Sequence, residues 1–560
     1  MRAFCHLYRQ IDETTKTNEK LDALVKYFRS VSPTDGAWAV YFLCGNRPKR
    51  SLSGTAIRKW IQRRTDLPDW LVEESYQYVG DLAETISLLA EGPPHSVQQS
   101  LSEWIDTSLL PLSRAQEELE AFTLLDGLWR SLHPKERFVA MKMITGGFRV
   151  GVSRGLVTRS LSLAFDIPTE HIAHRLMGKW TPNKEFFQRL ISPDSEGGFD
   201  GQPFPFCLAN PLEDDPASIG SSSDYLVEWK WDGIRAQAIR RNGVVYLWSR
   251  GEERIEEQFP EVALALEELP NGTVLDGELL AWMGDRPLPF QHMQRRLGRK
   301  KVGKKLLAEV PVRFVAFDLL ERDGMDVRHQ TLAWRRRELE KLVNKSQQKE
   351  SSDSHLTSTI QLSPTVPSES WDSIARSRQS ARDMEAEGLM LKRRDSLYQG
   401  GRTKGNWWKW KVAPWTFDAV LLYAQRGHGR RASLYTDFTF AVWDGDLLVP
   451  CAKAYSGLTD EELRIVDKFV RENTKEKFGP VRSVAPKLVM ELACEGIQPS
   501  PRHKSGVAVR FPRILRLRTD KCPEMADTLD SLKQRISHRD RDDRPRMDDN
   551  PRDASGDDDE

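Results

Sequence analysis

One lysine in this chain sits where covalent chemistry could be done. In Glu228-Trp229-Lys230-Trp231-Asp232-Gly233-Ile234-Arg235, a strand-like run delivers Lys230 into an Asp-Gly turn, with a second cation five residues on. An amine that attacks phosphorus must be unprotonated, whereas a free lysine titrates at about 10.4. Burial or neighbouring cations lower that value and free the lone pair. A structural lysine beside a β-turn shares the pattern, so the run alone leaves both readings open. Other chemistries find less support. No G-x-x-x-x-G-K-S/T phosphate loop occurs, and Gly427-His428-Gly429-Arg430-Arg431 reads as a basic hairpin turn. His171 and His174 lie three apart on an expected helix without a carboxylate suited to a metal site, so a packed or surface role is expected. The six cysteines are scattered and form no C-x-x-C pair, which removes a four-cysteine zinc site.

The elements that must position Lys230 change along the chain. Up to about residue 180 apolar residues recur at three- and four-residue steps, as in Leu21-Leu24-Val25-Phe28 and Phe138-Met141-Met143-Ile144, predicting amphipathic helices. A Pro-rich, acidic stretch from Pro203 to Pro216 separates this region from a β-rich one. There Tyr225–Trp229, Val244–Trp248 and Val312–Phe317 read as strands, alternating with helices at Leu332–Leu342 and Ser370–Glu385. The Ser/Gln/Lys/Asp run between Asn344 and His355 predicts a solvated loop. After Trp415 a third unit begins, with a strand at Leu434–Trp443 and a capping box at Thr459-Asp460-Glu461-Glu462 ahead of an amphipathic helix. Several strands and one helix in about 120 residues fit a small barrel such as the OB-fold, and other small α+β folds as well. The expected domains are 1–180 (helical), 205–414 (α+β) and 415–537 (β-rich), with a disordered charged tail at 538–560.

A chain of 560 residues, 39% of them hydrophobic, can build several packed cores. The net charge of +1 hides a polarity: the tail from Arg539 to Glu560 carries five arginines and ten acidic residues, leaving +6 for the body before it. A mildly basic body suits a phosphate-rich partner. No run approaches the roughly 20 apolar residues of a membrane span, and the N-terminus has no apolar signal core. An intracellular protein is expected.

Lys-x-Asp-Gly-x-Arg resembles the nucleotidyl-acceptor motif of the covalent nucleotidyltransferases, the superfamily of ATP-dependent DNA ligases and mRNA capping enzymes. Further runs resemble its other motifs in order: Ser249-Arg250-Gly251-Glu252-Glu253, Leu275-Asp276-Gly277-Glu278-Leu279, Val315-Ala316-Phe317-Asp318-Leu319-Leu320, Glu387-Gly388-Leu389-Met390-Leu391-Lys392, Trp408-Lys409-Trp410-Lys411, and Arg510-Phe511-Pro512-Arg513 leading into Arg518-Thr519-Asp520-Lys521. The acceptor motif and these six runs, in register over nearly 300 residues, do not arise by chance.

The resemblance implies that Lys230 becomes the AMP-bearing nucleophile. Phe317 would stack on adenine, with Glu228 near its exocyclic amine, and Arg235, Arg250 and Glu278 would contact ribose and phosphate. Carboxylates at Glu278 and Glu387 suit a divalent ion such as Mg2+, since hard phosphate oxygens demand one. Period two puts Lys409 and Lys411 on one strand face, where they could neutralise the α-phosphate; an edge-strand face turned to solvent has the same pattern. Arg402 and Lys404 could add phosphate contacts. Arg518, Asp520 and Lys521 would meet the pyrophosphate end of ATP once the third unit closes. One departure stands out: Trp408 and Trp410 replace the usual aliphatic residues of their motif.

The core motifs do not separate ligase from capping enzyme. Ile144-Thr145-Gly146-Gly147-Phe148-Arg149-Val150-Gly151-Val152-Ser153, with Asn46–Ser53, resembles the signature of the helical DNA-binding domain that precedes the core in larger ATP-dependent DNA ligases. The expected protein is therefore a monomeric ATP-dependent DNA ligase acting on nicked duplex DNA in replication, repair or recombination. It would be cytoplasmic and nucleoid-associated in a bacterium or archaeon, nuclear in a eukaryote. An RNA-directed guanylyltransferase or RNA ligase, and a DNA clamp that has lost its chemistry, are the alternatives. An NAD-dependent ligase would carry the cysteine zinc module this chain lacks.

Overall fold

The computed structural model describes residues 1–48, 52–90, 99–146, 148, 150–193, 201–299, 301–348, 359–427, 434–478 and 481–536. Parts of the Asn46–Ser53 and Ile144–Ser153 signatures, the end of the polar run after Asn344, most of the basic turn at Gly427–Arg431 and the charged tail lie outside the described residues. The chain forms two units, Met1–Ile57 with Glu91–Val412 and Arg58–Ala90 with Ala413–Glu560. Among the described residues no helix is long and apolar enough to cross a membrane.

The first unit begins with helices where the periodicity predicts them. Thr17–Ser30 buries Leu21, Leu24 and Phe28, and Pro134–Thr145 buries Met141, Met143 and Ile144. Gly146 ends the latter helix at φ 74°, a left-handed conformation suited to glycine. Ser153 then caps the helix Arg154–Phe165, accepting the Leu156 amide at 3.2 Å. Between these helices, Phe148 stacks on Phe4 at 5.7 Å and meets Tyr8 edge-on at 4.9 Å, both on the helix Arg2–Glu13.

The helix Thr169–Arg175 carries His174, whose ring stacks on Phe204 at 5.5 Å. Burial, with Arg328 and Arg241 nearby, depresses its pKa from 6.5 to about 4. The unfolded chain therefore takes a proton that the folded chain refuses, and stability falls as pH drops from about 6.5 towards 4. At pH 5 the loss is about 2 kcal/mol. His174→Gln, which cannot titrate, should show a smaller fall in melting temperature between pH 7 and pH 5 than the parent. Equal falls would remove His174 from the acid response.

Two sheets follow. The larger runs in the order Ile360–Leu362, Val312–Arg322, Thr273–Met283, Ile234–Arg241, Val244–Ser249, and the smaller in the order Asn210–Pro211, Trp407–Lys411, Ala386–Arg393, Tyr225–Trp231. The Pro-rich stretch is not a free linker: Phe204 and Cys207 are buried, and Asn210–Pro211 pairs with Trp408–Lys409. The helix Leu332–Gln348 extends past Asn344, where a loop is predicted from composition. Leu339 and Val343 anchor it in the core of the larger sheet, and its backbone bonds carry it one turn further.

In the second unit the strand Trp415–Arg426 pairs with Tyr435–Asp444 on one edge, and with Val489–Cys494 and then Val481–Val484 on the other. Bulges along it curl the sheet. The helix Asp460–Asn473, opened by the expected Thr459/Glu462 capping box, packs Leu463, Val466 and Val470 into the sheet's core. This is the β-rich architecture expected of the third domain.

Candidate active site

Strand register explains how distant residues meet at Lys230. In the smaller sheet Glu228 lies opposite Met390, which lies opposite Lys409. Side chains alternate, so Glu228 and Lys230, Met390 and Lys392, and Trp407, Lys409 and Lys411 share one face. The other face is apolar: Trp408 and Trp410 pack with Tyr225, Val227, Leu389 and Leu391. Trp410 is therefore a core residue with Trp408 packed partly buried beside it, and both leave the lysine face undisturbed.

Strict alternation would bury Glu387 on that apolar side with Leu389. A bulge between Ala386 and Leu389 turns it instead towards the lysines. Gly388 makes this possible at φ 145°, since a Cβ there would lie 2.3 Å from the Trp410 carbonyl oxygen. Glu387 Oε2 accepts a hydrogen bond from Lys230 Nζ and lies 3.2 Å from Lys411 Nζ. Burial opposes the charge on Glu387, yet Lys230 and Lys411 outweigh it and hold the carboxyl below its usual range. The Lys409 ammonium is pushed down, by burial first and then by Lys411, Arg402 and Lys230. One carboxylate thus sits among three lysines. Gly233 closes the turn after Lys230, because a Cβ there would approach the Leu279 carbonyl oxygen to 2.5 Å.

The larger sheet supplies the rest. Arg235 and Glu278 face each other across adjacent strands. Arg235 binds Asp276 through Nη2 at 2.7 Å and Nε at 3.1 Å, and donates to the Cys207 carbonyl at 2.6 Å. Tyr398 Oη donates to Asp276 at 2.6 Å. The Arg235 guanidinium lies over the rings of Phe206, Phe317 and Trp407 at 5.3, 5.4 and 5.7 Å. Glu278 is pushed up to about 8, chiefly by burial, with Asp276 and Glu387 adding and Arg235 and Lys230 opposing. Phe317, 8% exposed, comes from an irregular stretch where Asp318 and Ala316 pair with consecutive residues of the neighbouring strand.

Glu228 is buried and doubly paired, to Arg336 at 2.9 Å and Lys392 at 2.6 Å. Lys392 Nζ also lies 3.8 Å above the Phe317 ring centroid and 4.5 Å from that of Trp407. Arg250 is exposed, and its amide donates to the Arg235 carbonyl at 2.9 Å. Arg518 and Lys521 belong to the second unit, where both bind Asp418 and Arg518 also pairs with Asp520.

The structure thus brings Lys230, Glu387, Lys409 and Lys411 to one face, and pairs Arg235 with Glu278 across strands. Lys392, Asp276, Tyr398, Trp407 and Arg336 are further members to which sequence reasoning assigned no role. Lys392 and Trp407 were within reach, being in step with Met390 and Lys409. Arg336 and Tyr398 carried no local signal, since they come from a helix and a loop far along the chain. Among the described residues no group of three or more His, Cys, Asp or Glu forms a ready metal cluster. The pair Glu278 and Glu387 nevertheless fits a divalent ion that takes its other ligands from phosphate and water. Glu278 resists ionisation when buried alone, and a cation beside it would favour its charged form.

Comparison with known proteins gives three matches in order along the chain. Residues 1–162 match the family described as DNA ligase N terminus, 207–411 the ATP dependent DNA ligase domain, and 431–521 the ATP dependent DNA ligase C terminal region. A probable DNA ligase of Koribacter versatilis is 30% identical over 95% of this chain and 96% of its own length. A DNA ligase of Thermococcus fumicolans is 26% identical over 94% of this chain and 96% of its own. The solved structure of Pmar-Lig_PreS3 superposes with a TM-score of 0.60 over 92% of this chain and 99% of that one, at 15% identity, a likeness of fold.

Proposed function

Since this chain belongs to the ATP-dependent DNA ligase family, we propose that it seals nicks in duplex DNA through an adenylate carried on Lys230. The observation that supports this most is the hydrogen bond of Lys230 to Glu387 within the lysine face. First, Lys230 Nζ attacks the α-phosphorus of ATP; the N–P bond forms, the bond to the bridging oxygen breaks, and pyrophosphate leaves. Nζ must shed one proton to free its lone pair and another as the phosphoramidate forms. The Glu387 oxygen bonded to it is in reach of the first proton, and the second passes to water or the departing pyrophosphate. Lys409 and Lys411 offset charge building on the α-phosphate oxygens. The 5′-phosphate at the nick then takes AMP from Lys230, and the 3′-hydroxyl displaces AMP to join the strand.

Phe317 offers the base a ring face, Glu228 a buried acceptor, and Arg235 and Arg250 cations for ribose and phosphate. Glu278 and Glu387 would hold Mg2+. That ion, when bound, screens phosphate charge and orients oxygens. Arg518 and Lys521, carried by the second unit, act on the pyrophosphate end of ATP in the first step. We place the DNA-binding helical domain at 1–180, the adenylation domain at 205–414, the OB-fold at 415–537 and the tail at 538–560. The protein works as a cytoplasmic monomer.

A 5′-phosphorylated nicked duplex incubated with the protein, Mg2+ and ATP should yield a sealed strand, whereas GTP or NAD as donor should not. Binding of that duplex should weaken steeply with salt, because backbone contacts dominate. A protein that seals equally well with GTP, or that binds the duplex without ever sealing it under ATP, would overturn the reading.

A further inference from the structure

The turn that carries Arg250 is held from outside the sheet it belongs to. Ser249 donates its amide to the Glu253 carbonyl at 2.9 Å, and Glu252 donates to the Ser249 carbonyl at 2.9 Å, so the turn is tight. Glu252 sits in it at φ 61°, a left-handed conformation that a non-glycine residue keeps only when its surroundings enforce it. The enforcing contacts come from the helical segment. One Glu252 oxygen pairs with Arg154, in the first turn of the helix Arg154–Phe165. The other accepts the Gly178 amide at 3.3 Å. Both side chains of the pair are largely shielded, at 32% and 18% exposure. The connector bearing Gly178 is itself pressed onto Trp248, just before the turn: a Cβ on Gly178 would lie 3.1 Å from that indole. On its inner side the turn is bonded to the site, through the Arg250 amide and the Arg235 carbonyl. A continuous set of contacts therefore runs from the helical segment, through one carboxylate, to the cation expected at the ribose.

We propose that Glu252 is a positioning residue for nucleotide capture, anchored by Arg154 and the Gly178 amide of the helical segment, so that self-adenylation depends on Arg154 even without DNA. The inference rests on the reading that Arg250 meets the ribose. Loss of the pair frees the turn to relax from its strained backbone and move Arg250 off the nucleotide. That weakens ATP binding while leaving Lys230 and its lysine face intact, so the effect falls on half-saturation and not on the maximal rate.

The test is self-adenylation of the full chain with α-labelled ATP and Mg2+ in the absence of DNA, over a range of ATP concentrations. Arg154→Gln and Glu252→Gln should each raise the half-saturating ATP concentration about five- to tenfold, with maximal rates within about twofold of the parent. The charge-swapped double variant Arg154→Glu/Glu252→Arg should recover most of that loss, although it cannot restore the Gly178 bond. Arg250→Ala is the reference. If it raises half-saturation and Arg154→Gln does not, the anchoring inference fails and the ribose reading stands. If Arg250→Ala has no effect, the ribose reading itself fails. Single variants that lower the maximal rate without moving half-saturation would also overturn the inference, since general damage to the fold acts that way.

Discussion

Lys230→Ala is expected to abolish covalent labelling of the protein by α-labelled ATP on a denaturing gel, and to lower multiple-turnover nick sealing by roughly 10⁴-fold or more. The expectation follows from what surrounds the amine. Lys409 and Lys411 share its sheet face, yet Lys411 already binds Glu387, and each rises from a different strand position than Lys230. Neither can take over attack at a phosphorus positioned for Lys230, because in-line displacement tolerates little displacement of the nucleophile. The fold should survive the change. Lys230 is 21% exposed, and Glu387 keeps Lys411 as partner, so the melting temperature should move little. The variant should still join a nick that already carries 5′-adenylate, because the final step needs no lysine nucleophile. Label retained on Lys230→Ala would place the adenylate elsewhere and end the assignment. Inability to join the pre-adenylated nick would mean that the variant is damaged beyond its first step.

The second large effect belongs to Arg235. Its partner Asp276 is fully buried, and once the guanidinium is gone Asp276 retains, among the described residues, the Tyr398 hydroxyl as side-chain partner. Removing one member of a buried pair leaves an uncompensated charge and costs about 3–5 kcal/mol. Arg235→Leu should therefore lower the unfolding free energy by about that amount and abolish labelling by ATP. Adding Asp276→Asn removes the stranded charge while keeping an acceptor for Tyr398. The double variant should regain at least half of the lost stability, yet still fail to label. The two measurements separate the structural role of the arginine from its role at the nucleotide. Urea unfolding of Arg235→Leu that coincides with the parent's would contradict the buried pair. Restored labelling in the double variant would take Arg235 out of the nucleotide site.

Both expectations draw on residues singled out from the sequence, but their reasons do not. The Lys230 run was legible because a strand, a turn and a cation are local features, written within eight consecutive residues. Alternation in Trp408-Lys409-Trp410-Lys411 was legible too, since period two puts both lysines on one face whatever the partner strand. Glu387 is the opposite case. Simple alternation from Leu389 sends it into the core, and only the bulge at Gly388 reverses it. The loop expected between Asn344 and His355 is corrected at its start, where the helix continues to Gln348, and the rest of it lies outside the described residues. Polar composition by itself does not separate a helical turn from a loop.

What the sequence determined by itself was the order of elements and the family of its motifs, and it singled out Lys230 as the candidate amine, because these depend on residues close together in the chain. The tertiary structure alone decided which charges neutralise one another. It paired Asp276 with Arg235, seated Glu228 between Arg336 and Lys392, and joined Glu252 to Arg154. Such pairs span up to 164 positions in the chain. Their energy depends on burial and on separations of a few ångströms, quantities that exist only once the sheets have packed.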